Sequence, residues 1–329
     1  MAQLRKIGVA GAGAWGLALA KAAAAAGRDV ALWGRDAAAM ARLERARASP
    51  RLLGLSLAAA VAAVADTQAL GACDAILFCV PAQALRAAAA QLSPNLRAGA
   101  ALVACAKGIE RGTGLFMTQV LAQAAPDRPV AILSGPSFAA DVAAGLPTAI
   151  TLACADEDLA RALCEALRGP SLRLYHSSDV RGVEIGGAAK NVLAIACGIS
   201  AGLGLGPSAG AALVARGFAE LARFGAAFGA RPATLMGLSG LGDLVLTCAS
   251  AQSRNFAFGL ALGRGASVAE ASGGKLAEGV LTAAALVAMA RARGVDMPIA
   301  QSVDAVLMGE IDARGAVGAL LARPARGEG

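Results

Sequence analysis

In the first half of the chain, short apolar runs alternate with longer stretches in which alanine and leucine recur at helical spacing. The runs at residues 6–10, 29–33, 61–65, 75–80, 101–105, 129–133 and 148–152 are rich in Val, Ile, Leu and Ala, and predict strands buried on both faces. Between most of them, residues 14–26, 37–48, 82–92, 115–124, 137–144 and 157–167 predict helices. This alternation predicts an α/β fold, a doubly wound sheet that is parallel in its first half at least, with ligands bound at the carboxyl ends of the strands.

Beyond Tyr175 the strand signals give way to long apolar helical patterns, and a domain boundary is expected near Ser177-Ser178-Asp179. The expected division is an N-terminal Rossmann-type dinucleotide-binding domain, residues 1–178, and an all-helical C-terminal substrate and catalytic domain, residues 179–329. Residues 191–215 carry no charge and are numerous enough to cross a bilayer. Gly202, Gly204, Gly206 and Pro207 interrupt them, so a buried helix, a turn and a second helix are expected, with no membrane span. Arg5-Lys6 lead straight into the first strand with no cleavable apolar stretch, which points to a cytoplasmic protein.

With 329 residues, 57% of them hydrophobic and 16% charged, the chain can bury a large core and is not of the disordered class. Its seven cysteines form no C-x-x-C pair and mostly sit among Ala, Val and Leu, where cysteine acts as a small core residue. His176 is the only histidine, so a histidine-rich metal site is excluded by count and no metal is expected. The net charge of +7 suits an anionic partner. With 3% aromatic residues and no basic run, that partner is expected to be a phosphorylated small molecule and not a nucleic acid. A homodimer is admitted but not specified.

Directly after the first strand comes Gly11-Ala12-Gly13-Ala14-Trp15-Gly16, a G-x-G-x-x-G with a helix behind it. Gly11 permits the tight turn, Gly13 lets backbone approach a pyrophosphate, and Gly16 packs helix on strand while the helix amino terminus attracts the anion. Where an acidic residue would take the ribose hydroxyls of NAD, the second strand ends in Gly34-Arg35. The Arg35 guanidinium suits a 2′-phosphate and favours NADPH, although stacking on adenine would leave NADP and NAD both acceptable. Asp36 is placed to cap the next helix.

Gly186-Gly187-Ala188-Ala189-Lys190-Asn191 sets one lysine at the head of the uncharged run. An ammonium entering so apolar a segment snorkels to solvent, gives up its proton more easily than usual, or meets a partner. Alone, the stretch reads as a lysine at a helix end. Other motifs alter that reading: Ala106-Lys107-Gly108, Ser134-Gly135-Pro136-Ser137, Gly240-Leu241-Gly242-Asp243, Gln252-Ser253-Arg254-Asn255 and Leu276-Ala277-Glu278-Gly279.

In this order, and over nearly the whole chain, the motifs resemble those of bacterial soluble NAD(P)-dependent glycerol-3-phosphate dehydrogenases. The resemblance implies a Rossmann domain followed by an all-helical domain. It implies interconversion of sn-glycerol 3-phosphate and dihydroxyacetone phosphate, supplying glycerol phosphate for phospholipid synthesis. Carried over by residue, it puts the general acid/base on Lys190 and a second substrate-site lysine on Lys107. It sets Gly135, Ser137, Asp243, Ser253, Arg254 and Asn255 around glycerol phosphate. Around the cofactor it sets Ala14, Trp15, Arg35, Lys107, Ala139, Arg254, Leu276 and Glu278, beside Gly11, Gly13 and Gly16. Leu17 and Ala106 stand where threonine is common in the family, which touches packing near the cofactor more than the chemistry.

The residue types suit that reaction. Delivering hydride to a ketone leaves negative charge on oxygen, which a nearby acid must neutralise, and with one histidine in the chain Lys190 is a natural donor. Asp243 could hold Lys190 or a substrate hydroxyl, and Arg254 with Asn255 would clamp a phosphate. Two rivals stay open at this level. One is a hydroxy acid dehydrogenase or ketopantoate reductase of the same plan, which would need a carboxylate substrate. The other is a dinucleotide sensor without turnover, for which no helix-turn-helix or basic aromatic patch speaks.

Overall fold

A computed structural model describes residues 4–274 and 277–324. The chain divides into two compact units, the first reaching Glu110 and resuming over Leu115–Glu184, the second made of Arg111–Gly114 and the chain from Ile185 onward.

Unit 1 is built on eight strands: β1 (Lys6–Ala10), β2 (Asp29–Trp33), β3 (Val61–Val64), β4 (Ala75–Phe78), β5 (Ala101–Ala104), β6 (Val130–Ser134), β7 (Thr148–Cys154) and β8 (Leu172–Ser177). They form one sheet in the order β3-β2-β1-β4-β5-β6-β7-β8. All neighbours are parallel except β6 and β7. The order reverses at β1, where Ile7 pairs with Val30 on one side and Ala75 on the other. In such sheets that reversal opens the crevice in which a ligand sits.

The strands read as continuous apolar runs because both faces are covered. Ile7, Val9, Val30, Leu32, Leu77 and Val103 pack into one core. Their alternating neighbours Ala31, Trp33, Ile76, Phe78 and Leu102 pack into another. The helices α1 (Ala14–Ala25), α2 (Ala37–Ala46), α3 (Leu85–Leu92), α4 (Met117–Ala124), α5 (Ala139–Ala143) and α6 (Glu157–Leu167) supply the covering residues. Leu17, Met40 and Leu163 join the first core; Leu85, Leu92 and Val120 join the second. The stretch 82–92, expected as one helix, begins with a short 3-10 turn at Ala82–Ala84 before α3. The strand β8 lies outside the runs read from the sequence, because most of its residues are at least partly exposed and its apolar signal is weak.

Unit 2 is helical: α7 (Val180–Gly202, its first turn in unit 1), α8 (Gly206–Ala227), α9 (Pro232–Leu235), α10 (Asp243–Cys248), α11 (Arg254–Gly263), α12 (Val268–Ser272), α13 (Glu278–Ala292), α14 (Pro298–Leu307) and α15 (Ala313–Leu321). The uncharged run does break where glycine and proline cluster, with Gly204 at φ +73 between α7 and α8 and Gly206 at φ +84 as the first residue of α8. Among the described residues α7 is the one helix long and apolar enough to span a bilayer, and 89% of that apolar window is buried inside the protein. A helix that is hydrophobic all round is what a core position demands. Glu220 of α8 anchors α14 by accepting from the N–H groups of Ile299 and Ala300 at 2.7 and 3.2 Å. Burial pushes its carboxyl up to about 7.

The first turn of α7 contains a second buried carboxylate. Glu184 accepts from Thr118 N–H at 2.7 Å and pairs with Arg181 at 3.0 Å, yet burial pushes it up to about 7.

Candidate active site

The turn after β1 is held by contacts that admit only glycine. Gly11 has φ +115, and a Cβ there would lie 2.9 Å from the Cys79 carbonyl oxygen. At Gly16 a Cβ would lie 1.8 Å from the Gly11 carbonyl oxygen, so the turn and the start of α1 are locked together. A Cβ at Gly13 would meet no atom within 4 Å. Gly13 is also the cap of α1 and, having no side chain, makes no cap hydrogen bond to the first N–H groups of the helix; uncapped N–H groups at a helix start are what a phosphate group binds. These features fit a dinucleotide.

At the end of β2, Arg35 is exposed, and Asp36 is engaged as the cap of α2, accepting from Ala39 N–H at 2.9 Å. Arg35 thus follows the carboxyl end of β2 as an exposed cation, while the Asp36 carboxylate is taken up by the helix. Beyond β5, the Lys107 ammonium donates to the Gly135 carbonyl at 2.8 Å, and the Ser137 hydroxyl donates to the same oxygen at 3.0 Å. Lys107, Gly135 and Ser137, read from separate motifs, therefore meet at one point in unit 1. Ala139 opens α5 just after them.

In unit 2 the lysine expected at the head of a helix lies well inside one. The helix α7 starts ten residues earlier than Lys190, at Val180, and Lys190 is 6% exposed. It does not snorkel; it meets partners. Its ammonium donates to Asp243 Oδ1 at 2.6 Å and to Thr247 Oγ1 at 2.8 Å, and the Thr247 hydroxyl lies 3.4 Å from the same carboxylate oxygen. Asp243 is 1% exposed. A π-turn at Leu238–Gly242 leads into α10 and sets Asp243 at its first position. The chain can approach so closely because Gly186, one turn before Lys190, has no side chain: a Cβ there would lie 2.4 Å from the Ser239 carbonyl oxygen. Sequence reasoning missed Thr247; its signal was a hydroxyl four residues after Asp243, on the same helix face.

Arg254 is exposed at the first position of α11, and Ser253 caps that helix by accepting from Phe256 N–H at 3.2 Å. Asn255, expected to offer its side chain to a phosphate, uses that amide internally. Its Nδ2 donates to Asn191 Oδ1 at 2.9 Å and its Oδ1 accepts from Gly279 N–H at 2.9 Å. What the first turn of α11 offers an anion is the Arg254 guanidinium and backbone N–H groups. Glu278 opens α13. Leu276 lies outside the described residues. His176 sits exposed on the edge strand β8 and belongs to neither group.

Residues 6–160 match the family model described as the N-terminus of NAD-dependent glycerol-3-phosphate dehydrogenase, and residues 179–318 match the model of its C-terminus. The chain belongs to that family. A glycerol-3-phosphate dehydrogenase of the NAD(P)+ type from Azorhizobium caulinodans is 62% identical over 329 residues, covering all of both chains. The crystal structure of glycerol-3-phosphate dehydrogenase from Coxiella burnetii superposes with a TM-score of 0.92 at 38% identity, over 97% of this chain and 99% of that one. A ketopantoate reductase from Ralstonia eutropha, at TM-score 0.59 and 20% identity over 95% of this chain and 99% of that one, shares the fold alone. Family membership makes the chain an NAD(P)-dependent oxidoreductase with a Rossmann-like domain and a helical domain, and removes the sensor reading.

Proposed function

We propose that this chain interconverts sn-glycerol 3-phosphate and dihydroxyacetone phosphate, using NAD(P)(H), and so supplies glycerol phosphate for phospholipid synthesis. The observation that carries the reading is the buried Lys190 ammonium, held by Asp243 at 2.6 Å and Thr247 at 2.8 Å. When bound, a reduced nicotinamide would supply the hydride for the ketone carbon. Lys190 supplies the proton to the oxygen that becomes negative, and in the reverse direction takes it back. Asp243 and Thr247 hold the ammonium so that its N–H groups are aimed before the charge develops, which is where electrostatic stabilisation acts.

On this reading Arg254, with the backbone N–H groups at the start of α11, binds the phosphate, and Lys107, Gly135, Ser137 and Ser253 position the rest of the substrate. Gly11, Gly13, Ala14, Trp15, Gly16, Arg35, Ala139 and Glu278 hold the dinucleotide, with Lys107 and Arg254 shared between the two ligands and Leu276 assigned by resemblance alone. The phosphate contact also serves catalysis, because it fixes the ketone carbon against the hydride donor. The reading includes a cytoplasmic location, open to fractionation; it admits a homodimer without specifying one, which light scattering would decide.

The direct test is NADPH oxidation with and without dihydroxyacetone phosphate. Fast oxidation is expected only with the phosphorylated ketone, and unphosphorylated dihydroxyacetone should be reduced slowly; turnover of a 2-keto carboxylate at the faster rate would sink the assignment. Arg254→Ala should lower kcat/KM on dihydroxyacetone phosphate by about 2–4 kcal/mol, and scarcely alter the slow reduction of unphosphorylated dihydroxyacetone. Proportional losses on both would mean that Arg254 acts through the cofactor or the fold.

A further inference from the structure

Three helices of unit 2 meet backbone to backbone. A Cβ at Gly198 of α7 would lie 2.2 Å from the Phe256 carbonyl oxygen of α11, and one at Gly259 of α11 would lie 2.1 Å from the Ile195 carbonyl oxygen of α7. A Cβ at Gly279 of α13 would lie 2.6 Å from the Asn191 carbonyl oxygen. Such seams bring helices close but do little to fix their register, since bare backbone offers few steps that resist sliding.

At the end of this seam sits Asn255, 7% exposed, and beside it Asn191, 5% exposed. The orientation of the Asn255 amide is dictated by its partners. Gly279 N–H can only donate, so the Asn255 oxygen faces α13. The Asn255 NH2 therefore faces α7, and Asn191 must present its oxygen. One side chain thus donates to one helix and accepts from another while standing on a third. Aspartate lacks the donor and leucine lacks both.

We propose that Asn255 is a positioning residue: its amide is a strut that fixes the start of α11, bearing Arg254, and the start of α13, bearing Glu278, against α7 beside Lys190. The inference rests on the assignment above of Arg254 to phosphate, Glu278 to the dinucleotide and Lys190 to the proton. Asn255 then acts on both ligands through neighbours, and not chiefly by touching the phosphate with its side chain.

The test measures NADPH Kd by fluorescence, KM and kcat with dihydroxyacetone phosphate, and the thermal midpoint, for wild type, Asn255→Ala, Asn191→Ala and the double variant. Asn255→Ala is expected to weaken NADPH binding and raise KM for the phosphorylated ketone together, each by about tenfold, the scale of one uncompensated buried hydrogen bond. The double variant should bind NADPH no more weakly than the worse single one, because one strut is broken only once. A rise in KM with unchanged NADPH Kd would make Asn255 a simple phosphate contact and overturn the proposal. So would a lower thermal midpoint with both constants unchanged, or additive losses in the double variant. Should Asn255→Ala not fold, Asn191→Ala opens the same strut from α7, and unchanged NADPH affinity there overturns the proposal equally. Failure of the wild type to reduce dihydroxyacetone phosphate would instead count against the reaction assigned above, and is read before any variant.

Discussion

The groups proposed to meet ligands are made of different material in unit 1 and unit 2. In unit 1 they come mostly from backbone at the ends of strands: the turn Gly11–Gly16, the first N–H groups of α1 and the Gly135 carbonyl that gathers Lys107 and Ser137. In unit 2 they are side chains on helices, some of them in helix interiors, held by residues distant in sequence. Lys190 and Asp243 are 53 residues apart, and Asn191 and Asn255 are 64 apart. A backbone site is tolerant of most neighbours but intolerant of any Cβ, whereas a side-chain site is tolerant of small shifts in the chain but depends on single functional groups.

That contrast is broken most severely at Lys190. Lys190→Met should lower kcat by roughly a hundredfold or more, the usual loss on removing a general acid, while NADPH binding persists. Near-normal turnover at saturating substrate would show that the proton comes from elsewhere. Removal of the ammonium also leaves Asp243 buried without that partner, so a lower thermal midpoint should accompany the loss.

Glu184, on the same helix, sharpens the comparison, since there burial raises the group's pKa despite its ion pair. Its folded value of about 7 lies above the ordinary 4.5, so its protonated form is the one the fold prefers. The stability linked to it is full below about 4.5 and is lost as pH rises toward 7. Glu184→Gln should remove that slope, gaining on wild type by about 2–3 kcal/mol between pH 4.5 and 7.5 in denaturant melts. An unchanged pH dependence would show that Arg181 keeps the carboxylate ionised.

In unit 1 the sensitive point is the backbone. Gly16→Ala must move the Gly11 carbonyl, and the turn should lose NADPH affinity by about 1–3 kcal/mol while Lys190 and Asp243 keep their contact. Titration of NADPH fluorescence would measure it, and wild-type affinity would mean the turn has another way to relax. The smallest effect is expected at the exposed Arg35, where Arg35→Ala should weaken NADPH by about 1 kcal/mol and NADH by less, because only NADPH carries the 2′-phosphate. Equal losses would mean that Arg35 stacks on adenine.

The same contrast governs what could be read from the chain. The glycine turn and the strands up to β7 were legible because their signals are local: a spacing of glycines, an apolar run, an Asp36 cap. The strand β8 was not, because an exposed edge carries little hydrophobic pattern. The start of α7 was not legible, because Arg181 and Glu184 interrupt the apolar pattern before Lys190 and their pairing is visible only in the fold. Lys190 could be singled out but not its environment, since Thr247 acquires meaning only when α10 lies on α7. The resemblance sets Asn255 near glycerol phosphate; nothing in the local sequence announces that its amide also bonds Gly279 and Asn191.

The distant pairing of α7 also bears on how the protein is made. The helix emerges from the ribosome well before the residues that cover its glycine seam, which lie on α11 and α13. At about 5–20 residues per second, the 64 residues from Asn191 to Asn255 correspond to roughly 3–13 s of translation. Throughout that interval an apolar segment of 23 residues has none of its α11 or α13 partners, a period in which nascent chains aggregate or engage chaperones. Slowing synthesis within α8 should therefore lower the soluble yield, and slowing it after α13 should not.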